Sequence, residues 1–374
     1  MKRTKKCLSI LFIALIMLIS MISCGGNEPK TTQTEELGGA EEVITEVMTE
    51  DTKETEPTEP TYINPLTGLA CDESLVGKRP LAVMLNNIKP ALPQSGLSKC
   101  DIIYEALAEG GILRLEGIIL DYSNAGDLGS IRSARPYYVQ IATAYDAFYA
   151  HFGGSSDGDA LIKNLGINNL NGMTYEGKIV RGEKTFYRNQ DRLNSGVSRE
   201  HTAFANGLGL AAIIAERGFR TELNNKDFTA FLFDQKFSGI QGGITASYVK
   251  IPHSSYSVSE FRYDTASKKY LHSQYDAPHI DGATGEQVAT ENVFILYANH
   301  KILDSYGLRE ITLVGQGEGY YMNGGQAQKI IWKRSGETAE FSYYAADGTE
   351  LKVAPGRSYI SIVDTATKGS VTIS

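Results

Sequence analysis

The chain has 374 residues, a formal net charge of −8, and 42% hydrophobic against 21% charged residues. That composition suits a folded body and excludes collagen-like and wholly disordered classes. Four cysteines are too few for a disulfide scaffold at this length, and no basic arm, zinc-ligand spacing or cation–aromatic cluster points to nucleic acid.

The chain opens on a targeting pattern. Lys2, Arg3, Lys5 and Lys6 form a cationic start, Leu8 to Ile22 is an apolar run of 15 residues, and small Ser23 precedes Cys24. A spanning helix needs roughly 20 apolar residues, so residues 1–23 are expected to be a cleaved secretory signal. Met21-Ile22-Ser23-Cys24 resembles the lipobox of bacterial lipoproteins. The resemblance implies that the Cys24 sulfur carries diacylglycerol, with fatty acids such as palmitate, and becomes the mature N-terminus. The expected address is the extracytoplasmic face of the cell membrane, with the lipid anchor as the membrane contact.

Residues 24–62 are expected to be the lipidated cysteine and a disordered Thr/Glu/Pro tether, too poor in large apolar groups to offset chain entropy. Residues 25–62 hold eleven acids against Lys30 and Lys53, a net −9. Without the four signal cations the chain carries −12, so the body from Ile63 carries only −3. A charged coil of 38 residues spans about 35 Å or more, which lifts the body off the lipid surface.

The body is expected to divide into an α/β domain with a mostly parallel sheet, residues 63–226, and a mainly β (α+β) domain, residues 227–374. Leu81 to Asn86 reads as a strand. Ser98 with Asp101 three residues on predicts a capped helix ending at Gly110-Gly111, with Cys100 on its apolar side. Ile112 to Tyr122 is the next strand, and Pro136 suits the first turn of a helix carrying Tyr137, Tyr138, Ile141 and Tyr145. Ala147 to Phe152 is a strand, followed by helices around Ala160 to Leu165 and over Leu208 to Arg217, the latter closed by Gly218. Beyond Asp227 come short Val/Ile/Tyr/Thr-rich runs: 246–251, 293–298, 310–315, 329–333, 339–344 and 358–363. Asp347-Gly348 is a hairpin turn. Cys71 and Cys100 are expected to stay thiols.

Several motifs together resemble the YerB-like lipoproteins: Asn64-Pro-Leu-Thr-Gly68, Arg79-Pro-Leu-Ala-Val-Met84, Pro93-Gln-Ser-Gly-Leu97, Asp101-Ile-Ile-Tyr-Glu-Ala106, Gly129-Ser-Ile-Arg-Ser-Ala-Arg-Pro136 and His151-Phe-Gly-Gly-Ser155, with Trp332-Lys333 and Pro355-Gly356 in the second half. The resemblance covers residues 63 to 365 and implies two domains of unknown function behind a lipoprotein signal, and no reaction. Two positions depart from the family pattern: Thr202 stands where an Asn usually follows the histidine, and Cys100 where Ala is usual.

Three polar constellations remain. Glu105 and Glu109, one turn apart on the expected helix and near its C-terminus, are either part of an ion-pair network with Arg114, Arg132 and Arg135 or an acid/base pair with separated pKa values. Arg132 and Arg135 precede the helix at Pro136, where free N–H groups and the dipole favour an anion. His151 and Ser155 flank a glycine pair at a strand-to-helix turn, where open α/β sheets bind ligands, and His201 is placed to join them. Asn86, Gln94 and Ser95 complete the candidate ligand-binding set. No Gly-x-Ser-x-Gly elbow, His-Glu-x-x-His or cofactor motif occurs, so neither a metal nor a cofactor is expected. The leading expectation is a non-catalytic envelope module for a cell-wall glycan, peptide or envelope protein; the alternatives are an envelope hydrolase using Glu105 and Glu109, and the solute receptor of a transporter.

Overall fold

The computed structural model describes residues 62–374. The signal, Cys24 and the tether lie outside the described residues. An eleven-stranded mixed sheet organises everything else. In chain order its strands, with their neighbours, are β1 (Leu81–Asn86), β2 (Ile102–Leu107), β3 (Leu113–Ile119), β4 (Asp127–Gly129, in a small side sheet), β5 (Phe148–His151) and β6 (Asn169–Asn171). From the second half come β7 (Ile244–Thr245), then β8 (Tyr248–Pro252), β9 (Val258–Asp264) and β10 (Lys269–Gln274), which form a separate meander. These are followed by β11 (Asn292–Ala298), a hairpin of β12 (His300–Ile302) and β13 (Arg309–Ile311), β14 (Gly315–Asn323), β15 (Gln326–Arg334), β16 (Ser342–Ala345) and β17 (Ser358–Asp364).

The order across the main sheet is β7-β15-β14-β11-β17-β2-β3-β1-β5-β6, with β16 beside β15. β17, from the C-terminal end, lies between β11 and β2 and pairs with both in parallel. The sheet is therefore shared by both halves of the sequence. Tyr359, Ile360, Ile362 and Val363 of β17 are fully buried, each contributing about 1.5–3 kcal/mol of apolar transfer.

The expected helix over 98–109 is a strand. Only Leu97–Lys99 makes a 3-10 turn, and Ile102 to Leu107 is buried on both faces. The β-branched and aromatic run Ile102-Ile103-Tyr104 fits a sheet interior, and buried strands read as continuous apolar runs without alternation. Asp101 does not cap a helix: its carboxylate accepts from Asn64 Nδ2 (2.9 Å) and Leu120 N (2.7 Å). The sheet is also mixed where it was expected to be mostly parallel. β2 and β3 are joined by a turn through Gly110 and Gly111, both at positive φ, and so short a link can only make an antiparallel pair.

The other helices form as their end signals indicate. Helix α1 (Pro136–Ala144) starts on its proline. Ser155 caps α2 (Ser156–Leu165) by accepting from Gly158 N, and Gly166 ends it in the left-handed region. Asn206 caps α3 (Gly207–Glu216). One sheet face packs on α1 and α2 through Tyr138, Ile141 and Ile162; the other packs on α3 and the meander through Ile213, Phe261 and Tyr270. The second half is mainly β, and the Asp347-Gly348 turn closes with Ala345 N donating to Thr349 O at 2.8 Å. Cys71 and Cys100 are free, Cys100 filling the space over Gly117, where a Cβ would meet its sulfur at 2.4 Å. Among the described residues no helix is long and apolar enough to cross a membrane.

Candidate functional site

β11, β17, β2, β1, β5 and β6 all run in the same direction. Their carboxyl ends bring His300, Asp364, Glu109, Asn86, His151 and Asn171 to one edge of the sheet, the edge at which open α/β sheets hold ligands. The polar groups there form separate clusters with different chemistry.

The first is an ion-pair clamp. Arg135 Nε donates to Glu109 Oε1, and Arg114 Nη2 donates to Oε2 at 3.4 Å. Arg114 Nη1 and Arg135 Nη1 are held by the carbonyls of Ser133 (3.0 Å) and Ala134 (2.6 Å). Burial pushes the Glu109 carboxyl up, but the two guanidiniums outweigh it and leave it below the ordinary carboxylate value. Arg132 does not join Arg135 to make a two-pronged anion grip. It turns away to the Glu200 carbonyl at 3.2 Å and carboxylate at 3.5 Å.

Glu105 is elsewhere. Along a strand successive side chains face opposite sides, and Glu105 points from β2 toward the meander with no solvent exposure. Its Oε1 lies 3.0 Å from His253 Nε2 and accepts from Ser361 Oγ (2.6 Å); its Oε2 accepts from Ser259 Oγ (2.8 Å) and the Tyr359 hydroxyl (2.9 Å). Burial alone would raise this carboxyl, but His253, His272 and the Ser361 hydroxyl outweigh it and hold it down to about 2. Glu105 and Glu109 are therefore not two acids on one helical face: each has its own set of donors, on different structural layers.

A third network links the first strand to the meander. Asn86 Nδ2 donates to His201 Nδ1 (2.9 Å), and Gln94 Nε2 donates to the Asn86 carbonyl and to Asn87 Oδ1, both at 2.7 Å. Gln94 Oε1 must then accept from His279 Nε2 (2.7 Å), which leaves His279 Nδ1 bare to accept from His272 Nδ1 at 2.8 Å. Burial lowers both rings, His272 to about 4 and His279 well below its ordinary value, so both are neutral at neutral pH. The chain ends on His272 Nε2, buried and without a partner. Burial likewise lowers His201.

Of the expected site residues, Asn86, Gln94 and His201 come together, and Glu109 comes together with Arg135. Ser95 contributes only its backbone, paired with Gly129. His151 and Ser155 do not meet. His151 lies 2.7 Å from the Gly153 carbonyl through Nδ1 and 2.6 Å from Asn169 Oδ1 through Nε2, while Ser155 is committed to the α2 cap. The two side chains are not paired as a Ser–His nucleophile would be. Sequence reasoning missed His253, Ser259, His272, His279, Tyr359 and Ser361. The available signal was Tyr359-x-Ser361, polar groups at period two inside an apolar strand.

The chain matches two family models, "Protein of unknown function (DUF3048) N-terminal domain" over residues 66–220 and the corresponding C-terminal domain over residues 248–360. It is 29% identical over 301 residues to "Putative lipoprotein YerB" of Bacillus subtilis strain 168, covering 80% of this chain and 85% of that protein. It also superposes on the crystal structure of the Bacillus subtilis YerB protein with a TM-score of 0.71 and 28% identity, over 84% of this chain and 99% of the other. The chain belongs to this two-domain family of YerB-like proteins, whose function is unknown.

Proposed function

We propose that this is a membrane-anchored, extracytoplasmic lipoprotein that binds a component of the cell envelope at the carboxyl-end edge of its sheet without turning it over. One observation carries the reading: every candidate catalytic group is already engaged. A general acid or nucleophile needs a lone pair or proton within reach of a substrate. Glu105 has four donors and no exposure, Glu109 is clamped by Arg114 and Arg135, His151 has both ring nitrogens occupied, and Ser155 caps a helix. Depressed carboxylate pKa values oppose general-acid work at neutral pH. Membrane attachment rests on the lipobox at Cys24 and on the name of the relative.

The test uses the mature lipoprotein purified in detergent and incubated with cell-wall fragments. The expected result is retention of fragments with no change in their mass. Turnover that disappears in Glu105→Gln or Glu109→Gln overturns the reading in favour of a hydrolase. For the anchor, Cys24→Ala is expected to move the protein out of the membrane fraction.

A further inference from the structure

Beside the Glu109 clamp, a groove of about 480 Å³ runs between helices α1 and α2 and the β12–β13 hairpin. Its size falls within the range of small-molecule sites, about 300–1,000 Å³. Tyr137 and Leu161 line one side; Leu303, Ile311 and Leu313 line the other. Leu303 is 46% exposed and Val314, also on the lining, 39%, so apolar surface is open to solvent.

The charges on this apolar frame are unpaired. The Arg309 side chain has no hydrogen bond or ion pair among the described residues, and its Nε is buried without an acceptor. One N–H of this half-buried guanidinium is left without an acceptor, and a carboxylate supplies the planar, charge-assisted pair it lacks. Neighbouring His300 does not compensate. Both its ring nitrogens are buried without partners, and burial, with Arg309 adding to it and Asp364 opposing it, lowers it to about 4. The adjacent acid Glu109 is taken by Arg114 and Arg135. On the rim, the Asp157 and Glu337 carboxylates form no ion pair among the described residues; the Glu337 carboxylate accepts from Gln140 Nε2 at 3.0 Å, while its backbone carbonyl accepts from Arg334 Nη2 and Thr143 Oγ1, both at 2.8 Å.

We infer that this groove is the ligand site and that its ligand is a short peptide with a free carboxylate and an ammonium group. The carboxylate pairs with Arg309, an apolar side chain lies against Leu161, Leu303 and Ile311, and the ammonium faces Asp157 and Glu337. The volume limits the occupant to a few residues, and one half-buried cation opposite two acids selects a zwitterionic or net-cationic ligand over a polyanion. The inference rests on the non-catalytic binding reading and narrows it to one surface and one ligand class.

The probe is the tripeptide Ala-Leu-Lys as its free acid, titrated calorimetrically into the mature protein in detergent, with its C-terminal amide and its norleucine analogue as comparisons. Saturable binding of the free acid is expected, weakened at least tenfold by amidation. Arg309→Gln should weaken the free acid by a similar factor and bind acid and amide alike. Asp157→Asn combined with Glu337→Gln should erase the preference for lysine over norleucine. None of the three side chains has a partner whose loss would unfold the protein, so unchanged melting temperatures keep misfolding apart from lost recognition. Absence of saturable binding, or equal affinity of wild type for acid and amide, overturns the inference. So does equal retention of peptide-free glycan strands by wild type and Arg309→Gln, a result that leaves the wider binding reading standing. Cleavage of the tripeptide instead sinks that wider reading.

Discussion

Replacing Glu105 with Gln tests the buried network at its charged centre. The side chain keeps its shape, but four hydrogen bonds to an anion become bonds to a neutral amide, and one of its two ends changes from acceptor to donor. The carboxyl is held at about 2, against an ordinary value of 4.5. At 1.36 kcal/mol per unit, that difference corresponds to about 3 kcal/mol of stability. The sign follows from a depressed acid: the contribution is fully present above about pH 4.5 and is lost as pH falls through 2. Glu105→Gln should therefore cost about 3 kcal/mol at pH 7, and the gap to wild type should close between pH 4.5 and 2. Urea unfolding followed by the fluorescence of Trp332, the single tryptophan and 2% exposed, measures it directly. A variant within 0.5 kcal/mol of wild type at pH 7, or a gap that stays constant on acidification, refutes the account of Glu105 as an ionised, fully paired carboxylate.

Glu116 has the opposite character. It is buried with neither oxygen partnered, and burial pushes its carboxyl well above the ordinary value despite Arg334. A raised carboxyl loses stability as pH rises above the unfolded value, so Glu116→Gln or Glu116→Met should stabilise by about 1–3 kcal/mol at pH 7, with the gain shrinking toward pH 4 in the same urea assay. Arg135→Ala leaves Glu109 half-clamped in a site only 12% exposed and should cost about 1–3 kcal/mol; no change in unfolding midpoint would discount the clamp. Ser155→Ala removes the α2 cap and should cost about 1 kcal/mol by thermal melting without affecting ligand retention. A fragment ending at residue 226 lacks β17 and exposes the edge of β2, so it should aggregate; a soluble, cooperatively melting fragment would show that β17 is dispensable.

The fold was legible wherever local chemistry has one solution. Pro136 and Gly218 mark ends that any helix in that position needs, and Leu81 to Asn86 and Ser358 to Val363 are largely apolar runs too short for anything but buried strands. It failed over 98–109 because a strand buried on both faces has no alternation to betray it. The three-residue spacing of Ser98 and Asp101 mimicked a cap in a segment where Asp101 instead ties β2 to the start of the body. One wrong period propagated to the site, since the pairing of Glu105 with Glu109 depended on a helix continuing through both; Glu105 instead lies inside β2, which ends at Leu107, and Glu109 lies in the turn beyond it. The mixed order of the sheet was hidden for another reason. β17 finds β2 across more than 250 positions of chain, and no local pattern encodes a partner that far away.

The site was illegible for a related cause, which also bears on why it is built this way. Glu105, Tyr359 and Ser361 come from the central sheet, while His253, Ser259 and His272 come from the meander. Two sheets faced only with Leu and Ile could slide past one another at little cost, whereas hydrogen bonds at fixed geometry leave one register satisfied and all others with buried unpaired groups. The polar core thus fixes how the meander seats on the main sheet. Through the main sheet it also fixes the end of β11 from which the β12–β13 hairpin emerges to wall the groove. Loosening Glu105 should consequently weaken peptide retention without any contact between Glu105 and the ligand, and Arg309→Gln should weaken it without changing stability. The two variants separate the scaffold from the surface it presents.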